Sequence, residues 1–485
     1  MIFTSPLFLF FFCFVFVFRW IFNQKFTSIS LLFLLLSSYL FYAGWNFYFL
    51  GLIWLTTIVD FSIAKRIEFS STRKTKFFLL FISLFFNLSI LGFFKYSAFF
   101  LESFFSFSAL IGYSLDRIVF NIILPAGISF YTFQSLSYTI DVYRGVISAE
   151  KSFLQYALYL AFFPQLVAGP IVLAQDFLPQ IKTVFKKNFE SINLKEGMYY
   201  ILLGFLKKSV IADNISIITD FIFSENTNLS SISWQYLLIG ILSYSIQIYG
   251  DFSGYTDIAR GVALLLGFHL PENFNLPYFA SSLTDFWRRW HISLSIWLRS
   301  YLYIPLGGNR LGNLFTYRNL MITMLLGGLW HGASWNFVIW GGLHGFYLAI
   351  ERFFQSRPFI MSLVSDIRPS LKTALSIFYS IFTFILVSVF WIFFRSQTIS
   401  KVFSILWGIV TLQSGITPSY SVFNQFYFLF FLVLIGHSIG YFASDRIKDF
   451  LARKDSYFIF SFYAFLLIVF VLYSGELKPF IYFVF

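Results

Sequence analysis

Cysteine is nearly absent from this sequence of 485 residues, which contains only Cys13, inside a phenylalanine-rich run. One cysteine can form neither a disulfide within the chain nor a thiolate zinc cluster. The apolar surroundings also favour the unreactive neutral thiol, so a thiol nucleophile is not expected. Any chemistry must therefore come from other side chains.

Charge is also scarce: 12% of the residues are charged, whereas 58% are hydrophobic and 24% are aromatic. Soluble domains carry roughly 25% charged residues, so the composition predicts an all-α polytopic membrane protein. A spanning helix needs about 20 mostly apolar residues. Because several apolar stretches are too long for one pass, we expect about ten to twelve spans. The stretches lie at about 7–22, 28–62, 77–101, 120–142, 152–174, 196–223, 233–270, 317–351, 372–395, 401–413, 424–443 and 456–474.

The net charge of +12 does not indicate a nucleic-acid binder, because the basic residues stand in short clusters between apolar stretches. Such clusters mark cytoplasmic loops by the positive-inside rule. Three of them lie within 65–76, 182–195 and 446–454, and they predict that the polar loops near 102–117, 223–232 and 413–423 lie on the opposite face. We expect membrane lipid as a partner and no nucleic acid.

Residues 1–485 read as a single membrane-embedded domain, since no long weakly apolar segment interrupts them. The first stretch has no basic n-region and no small-residue cleavage site, which favours a retained helix. Between about 120 and 351, Pro, Gly, Asp, Arg, Trp and His occur at membrane depth, where polar groups must be satisfied internally or line a wet cavity. This motif-bearing core predicts a central tunnel. The amphipathic segment 278–308 predicts re-entrant or interfacial helices.

His331 is the first candidate for catalysis, in the run GGLWHGASWN from Gly327 to Asn336. A titratable side chain at membrane depth is a functional hypothesis by default. Imidazole titrates near 6.5 and burial favours its neutral form, which suits a general base. The alternative is a histidine hydrogen-bonded between packed helices. The flanking glycines predict close helix packing or close approach of a ligand.

His291 is the second candidate, in the run DFWRRWHIS from Asp285 to Ser293. Arg288 and Arg289 could grip the phosphates of a soluble acyl carrier, with His291 orienting the substrate. The alternative is an interfacial belt of Trp and Arg anchors. His291, His331 and a carboxylate would be enough ligands for a metal site, but no metal is expected.

The remaining polar residues are weaker candidates. The spacing from His331 to His344 does not place the two side chains on one face of a helix, which makes His344 a weaker candidate. His269 and His437 rank below it. Asp257 and Arg260 are placed for an i,i+3 pair, and Asp251 is expected to satisfy backbone donors at a helix start. The Walker phosphate loop, the HExxH metal helix and the GxSxG elbow are all missing from the sequence.

Several runs together resemble the membrane-bound O-acyltransferase family: FWRRWHISLS from Phe286, WLR from Trp297, YIPLGG from Tyr303 and WHGA from Trp330. Similarity to the bacterial alginate O-acetyltransferase branch extends through LPAGISFYTFQ from Leu124, DVYRG from Asp141, FPQLVAGPI from Phe163 and DFSGYTD from Asp251. The resemblance covers roughly residues 40 to 400.

The resemblance implies an O-acyltransferase of the bacterial inner membrane, with His331 and His291 as the catalytic histidines. It implies acetyl-coenzyme A as a cytoplasmic donor, an extracytoplasmic hydroxyl acceptor and O-acetylation of an exported polysaccharide through an esterase-like partner protein. Trp335 and Asn336, with His291, are candidate donors to an oxyanion. The alternatives are D-alanyl or other acyl transfer to teichoic acid, peptidoglycan or protein. A rival from another class is a flippase of lipid-linked sugars, although no internal repeat is detected.

Overall fold

The computed structural model describes residues 2–21, 27–113, 122–357, 369–452, 456–476 and 478–481. The regular secondary structure of the described residues is helical. Their β pairing is limited to two isolated bridges, Ile232 with Ile416 and Phe274 with Trp290. The prediction of an all-α protein is confirmed.

The first half of the chain consists of helices separated by short connections. The α-helices are Pro6–Ile21, Thr27–Ala43, Leu50–Phe69, Arg73–Leu91, Ser97–Leu110, Ile128–Arg144, Phe153–Ala161, Phe163–Leu166, Ala174–Val184 and Leu194–Phe205. A π-helix at Gly92–Tyr96 joins two of them, and 3₁₀ turns lie at Phe47–Phe49 and Phe189–Ser191.

The second half contains the longest helices and two of the shortest. The α-helices are Asp213–Phe223, Trp234–Leu265, Leu283–Arg289, Ile292–Leu298, Asn313–His331, Trp335–Gln355, Pro369–Arg395, Ile399–Val410, Tyr420–Ala452 and Ser456–Tyr473. The π-helices Leu206–Ala212 and Arg299–Tyr303 and the 3₁₀ turns Leu229–Ser231 and Pro277–Phe279 complete this half. Segment 278–308 thus forms short helices and no long span.

Four helical segments of the described chain are long and apolar enough to cross a membrane: Phe47–Phe69, Arg73–Leu110, Ser370–Arg395 and Tyr420–Ile447. Shorter apolar helices lie at Pro6–Ile21, Thr27–Ala43, Ile399–Val410 and Phe458–Tyr473. Large apolar side chains such as Phe10 and Phe442 are 75% and 79% exposed, as expected of a surface that faces lipid. The chain is therefore a membrane protein, and the count of ten to twelve spans stays a prediction.

The helices are interrupted near 125–127 and again near 163–170, where the chain forms only the four-residue helix Phe163–Leu166. The helix Ile128–Arg144 begins directly after Gly127, which adopts a left-handed conformation with φ of 72°. A Cβ atom at Gly127 would collide with the carbonyl oxygen of Leu166. Glycine is required there both by the backbone angle and by the close approach of the second broken segment.

The chain groups into two compact units, and the single membrane-embedded domain stays a prediction. The first unit is Met1–Ile201 with Ala259–Pro271, and the second is Leu202–Ile258 with Glu272–Phe485. Inside the first unit, buried Asp60 accepts hydrogen bonds from Ser83 at 2.6 Å, from Asn87 at 2.7 Å and from Ser135. The candidate histidines lie in the second unit.

Asp251 lies in the middle of the helix Trp234–Leu265, so its predicted place at a helix start is wrong. The carboxylate accepts from Lys208 Nζ at 2.5 Å and from the backbone N–H of Ile481 at 2.6 Å. Lys208 also pairs with Asp213 at 2.8 Å. A buried carboxylate within a helix is stable here because a lysine from the π-helix Leu206–Ala212 neutralises it. Asp257 is paired with Lys207 at 2.6 Å.

Candidate functional site

A closed chain segment carries His291, the second of the two candidate histidines. Asn275 N donates to the carbonyl of Arg289 at 2.9 Å, and Ile292 N donates to the carbonyl of Asn273 at 3.0 Å. These bonds bring the two ends of residues 273–292 together around the helix Leu283–Arg289. We call residues 273–292 the His291 hairpin.

The N-terminus of the helix Leu283–Arg289 is capped from two sides. Ser282 Oγ accepts from the N–H of Asp285 at 3.1 Å. Glu351, on the helix Trp335–Gln355, accepts from the N–H groups of Leu283 and Thr284 at 2.5 and 3.0 Å. A carboxylate at a helix N-terminus satisfies unpaired donors and opposes the positive end of the helix dipole. Glu351 therefore fixes the His291 hairpin to the helix that follows His331.

His291 has an unusual backbone conformation for a non-glycine residue, with φ of 43° and ψ of 54°. Its imidazole is fully buried, and Nδ1 lies 3.3 Å from Oδ1 of Asn273. The same oxygen accepts from the N–H and hydroxyl of Ser293 at 3.0 and 2.9 Å. A strained backbone held by such a network is typical of functional sites.

The network also assigns the tautomer of His291. Because Oδ1 of Asn273 is an acceptor, Nδ1 of His291 carries the proton and Nε2 presents a lone pair. Nε2 is buried and has no hydrogen-bond partner among the described residues. This nitrogen can accept a hydrogen bond from a bound hydroxyl group.

His331 is the last residue of the helix Asn313–His331, so it closes a helix rather than opening one or lying within it. The next residue, Gly332, is extended, with φ of −165°. A Cβ atom at Gly332 would overlap the ring of Phe337. The imidazole is 3% exposed. The Trp-His-Gly sequence thus places a histidine at a helix end where the chain turns sharply into the next helix.

The predicted close packing at the glycines before His331 is confirmed. A Cβ atom at Gly328 would collide with the carbonyl of Phe337, and one at Gly341 would collide with the carbonyl of Met324. The helices Asn313–His331 and Trp335–Gln355 therefore approach each other backbone to backbone. This contact fixes the orientation of the helix that ends at His331.

Aromatic rings surround His331. Its ring centroid lies 5.1 Å from Trp340, 5.3 Å from Phe394 and 6.3 Å from His291. His291 in turn lies 4.8 Å from Phe252. The structure thus brings the two predicted catalytic histidines together in one buried aromatic environment.

His344 belongs to the same aromatic cluster. Its ring lies 4.7 Å from Trp340, which also contacts His331. Nδ1 of His344 accepts from the indole N–H of Trp287 at 3.2 Å. His344 thereby joins the His291 hairpin to the helix Trp335–Gln355, with Trp340 between the two histidines.

The other predicted site residues occupy different positions. Arg288 is exposed, whereas Arg289 is partly buried and pairs with Asp285 at 2.9 Å. Trp335 is 55% exposed. Asn336 is buried and donates from Nδ2 to the carbonyl of Ser396 at 2.6 Å. Of the two arginines, Arg288 is the more exposed, and Asn336 is already bonded to the protein.

Metal ligands are not assembled here: no group of three His, Cys, Asp or Glu side chains in the described ranges is placed to hold an ion. The imidazole pair instead offers nitrogen atoms for proton transfer. Buried aromatic walls lower the local dielectric and strengthen each polar interaction with a bound molecule.

Three residues of this site escaped the sequence analysis: Asn273, Trp340 and Glu351. Asn273 stands in the run PENFNLP, which resembles an ordinary turn. Trp340 is fully buried, and its indole N–H has no acceptor among the described residues. An unsatisfied buried donor beside a candidate base is a reason to examine it as a ligand contact.

The chain thus combines helices suited to a membrane with a buried pair of imidazoles, which is the arrangement of a membrane protein with a buried polar site. The sequence model of the membrane-bound O-acyltransferase family matches residues 146–396. A probable alginate O-acetylase from Azotobacter vinelandii is 42% identical over 82% of this chain and 76% of its own. The chain belongs to the membrane-bound O-acyltransferase family, and it is an acyltransferase.

Two other relatives act on different acceptors. A peptidoglycan O-acetyltransferase from Helicobacter pylori is 38% identical over 85% of this chain and 80% of its own. A teichoic acid D-alanyltransferase from Bacillus subtilis is 30% identical over 48% of this chain and 60% of its own. The resemblance seen in the sequence motifs is confirmed at the level of the family.

Proposed function

We propose that this protein transfers an acetyl group from acetyl-coenzyme A, on the cytoplasmic side of a bacterial inner membrane, to an extracytoplasmic hydroxyl. The product serves O-acetylation of an exported polysaccharide. The observation that carries the proposal is the pair of buried imidazoles, whose ring centroids lie 6.3 Å apart, in a chain 42% identical to a probable alginate O-acetylase.

His331 acts as the general base. It takes the proton of the acceptor hydroxyl while that oxygen attacks the carbonyl carbon of the acetyl thioester. The tetrahedral intermediate then collapses, the carbon–sulfur bond breaks, and the thiolate of coenzyme A takes the proton from the imidazolium. The acetyl ester and coenzyme A leave, and His331 is neutral again.

His291 orients the acceptor. Its Nδ1 proton is directed at Asn273, so Nε2 accepts a hydrogen bond from a second donor group of the acceptor molecule, while the attacking hydroxyl donates its one proton to His331. The indole N–H of Trp340 is the donor we assign to the oxyanion, because it is buried beside His331 and lacks an acceptor in the described chain. One such donor contributes about 3 kcal/mol of transition-state stabilisation in studied enzymes.

The donor approaches from the side of the basic loops. Exposed Arg288 contacts a phosphate of coenzyme A, and Arg289 supports this region through its pair with Asp285. The central tunnel joins this side to the acceptor side. A partner protein with an esterase-like hydroxyl receives the acetyl group and passes it to the polysaccharide.

A second candidate acceptor is peptidoglycan, which the relative from Helicobacter pylori supports through 38% identity over 85% of this chain. D-alanyl transfer to teichoic acid has less support, because that relative matches 48% of this chain. Both alternatives keep the same roles for His331 and His291.

The testing experiment follows radiolabelled acetyl from acetyl-coenzyme A in membranes that contain this protein, an extracytoplasmic partner and acceptor glycan. The His331→Ala variant is compared with wild type and with His269→Ala, which changes an exposed histidine. Loss of a general base should lower transfer by about 10²–10⁴-fold. Undiminished transfer by His331→Ala at equal expression would exclude His331 as the base, and no transfer by wild type would contradict the proposed donor or acceptor.

A further inference from the structure

A pocket of 530 Å³ lies in the second unit and is lined by neither of the two histidines. Its size falls within the range of about 300–1,000 Å³ typical of ligand pockets. One wall is the loop after the helix Asp213–Phe223, and the other is the helix Ile399–Val410 with the turn that follows it. We call this cavity the Trp407 pocket; the lining residues used here are Glu225, Asn228, Ser400, Lys401, Ser404 and Trp407.

One face of the helix Ile399–Val410 supplies the pocket with polar groups and an aromatic ring. Ser400, Ser404 and Trp407 follow each other by four and three residues, so they share one helix face. The indole of Trp407 is 69% exposed. An aromatic ring next to hydroxyl groups matches a sugar, which has an apolar C–H face and a rim of hydroxyls.

The opposite wall is fixed before any ligand binds. Gln413 Nε2 donates to the carbonyls of Leu229 and Ile232 at 2.8 and 2.5 Å. Ile416 N donates to the carbonyl of Ser231 at 2.7 Å, and Lys401 donates to the carbonyl of Ser224. A pocket held by such bonds needs little reorganisation on binding, which favours affinity.

The pocket is connected to the catalytic site through a short stretch of chain. Phe394 packs against His331 at 5.3 Å, and Ser396 accepts from Asn336, whereas Gln397 and Thr398 line the pocket. Three residues span at most about 11 Å. A molecule in the pocket therefore lies close to the segment that contacts His331.

The charges around the Trp407 pocket and the chemistry of its lining residues indicate the class of ligand. The loop 224–231 and the turn 411–419 contain no lysine or arginine, so the positive-inside rule places them on the acceptor side. Glu225 and Lys401 balance each other, which does not suit the several phosphates of coenzyme A. Apart from Leu229 and Trp407, the lining is polar or charged, which does not suit an acyl chain.

We propose that the Trp407 pocket binds a sugar segment of the exported polysaccharide that the partner protein acetylates, and that it holds this segment at the acceptor side of the enzyme. The proposal rests on the proposed function for its biological setting, but its binding test does not require acyl transfer. Trp407 stacks on a sugar ring, while Asn228, Ser400 and Ser404 exchange hydrogen bonds with hydroxyl groups.

The test measures binding of oligosaccharides to the full-length protein in nanodiscs by saturation-transfer NMR and by titration. The probes are a tetrasaccharide of alginate and a tetrasaccharide from peptidoglycan glycan. Trp407→Ala should weaken binding of a bound probe by about tenfold or more, the equivalent of losing one aromatic contact. Phe403→Ala is the matched control, since Phe403 is 62% exposed on the same helix and lies outside the pocket lining.

Two further comparisons separate this proposal from the proposed function. His331→Ala should bind the probe as wild type does while transferring no acetyl group. Wild-type protein that binds neither probe at millimolar concentration, or a Trp407→Ala variant with unchanged Kd, would overturn the sugar site and leave acyl transfer intact. Binding of phosphatidylglycerol that Trp407→Ala weakens, in protein that binds neither sugar probe, would assign the pocket to lipid and also overturn the proposal.

Discussion

The imidazoles of His291 and His331 lie 6.3 Å apart, inclined by 65°, although they come from separate helical segments. His331 ends a helix, and His291 begins one from a left-handed backbone conformation. Both are helix-terminal residues, so small movements of the two segments change the distance between the rings. The surrounding contacts therefore set the distance between the two imidazoles.

Asn273 is the residue we expect to hold His291 in its tautomer. Asn273→Ala removes the acceptor of Nδ1 and of the two Ser293 donors, and an unsatisfied buried donor costs about 1–3 kcal/mol. Acetyl transfer should fall, with kcat lowered more than KM for acetyl-coenzyme A is raised, because His291 contacts the acceptor. Steady-state kinetics with varied donor measure this effect. Asn273→Asp keeps an acceptor oxygen and should restore part of the activity; equal losses in both variants would contradict the tautomer argument.

A substitution at Trp340 can distinguish the packing of its aromatic ring from the hydrogen bonding of its indole N–H. Trp340→Phe keeps an aromatic ring beside His331 but removes the indole N–H, so kcat should fall by about 10²–10³-fold if that group stabilises the oxyanion. Single-turnover rates at saturating donor measure the chemical step directly. Trp335→Phe, at a side chain that is 55% exposed, should leave this rate unchanged. A Trp340→Phe enzyme with the wild-type rate would eliminate the indole as a donor.

The glycine contact behind His331 gives a prediction on stability. Gly328→Ala places a methyl group against the carbonyl of Phe337, and overpacking of this kind costs about 1–3 kcal/mol. The melting temperature in detergent and the acetyl-transfer rate should both fall.

Gly342→Ala is the matched control for this contact. The added Cβ at Gly342 would lie 3.4 Å from Leu325 Cδ2, an ordinary contact, and alanine also favours the helix. Gly342→Ala should therefore match or exceed the wild-type melting temperature. Similar losses in both variants would show that the close helix crossing is not the cause.

The sequence was sufficient for the fold class and the family, and it singled out two histidines that the structure brings together, because apolar runs and local motifs are continuous along the chain. Contacts between residues that are far apart in the sequence could not be predicted from it. Glu351 caps a helix that lies far back in the sequence, and nothing near Glu351 indicates that role. Asp251 was misplaced at a helix start because the compensating Lys208 comes from another helix. Charges and caps satisfied by distant partners need three-dimensional contacts to be recognised.

Glu351 connects the two histidine segments, which makes it the most informative residue outside the imidazole pair. Glu351→Ala leaves the N–H groups of Leu283 and Thr284 without their carboxylate acceptor, and loss of such a cap costs about 0.5–2 kcal/mol. The His291 hairpin should loosen, so kcat should fall and KM for acetyl-coenzyme A should rise through displacement of Arg288.

A structural readout distinguishes this mechanism from general unfolding. Trypsin should cleave after Arg288 and Arg289 faster in Glu351→Ala than in wild type, while cleavage at the basic loop 65–76 stays the same. Glu351→Gln retains one amide oxygen as an acceptor and should give intermediate kinetics and intermediate protection. If Glu351→Ala keeps wild-type kinetics and cleavage, the cap does not hold the hairpin, and the position of His291 depends on Asn273 and the aromatic packing alone.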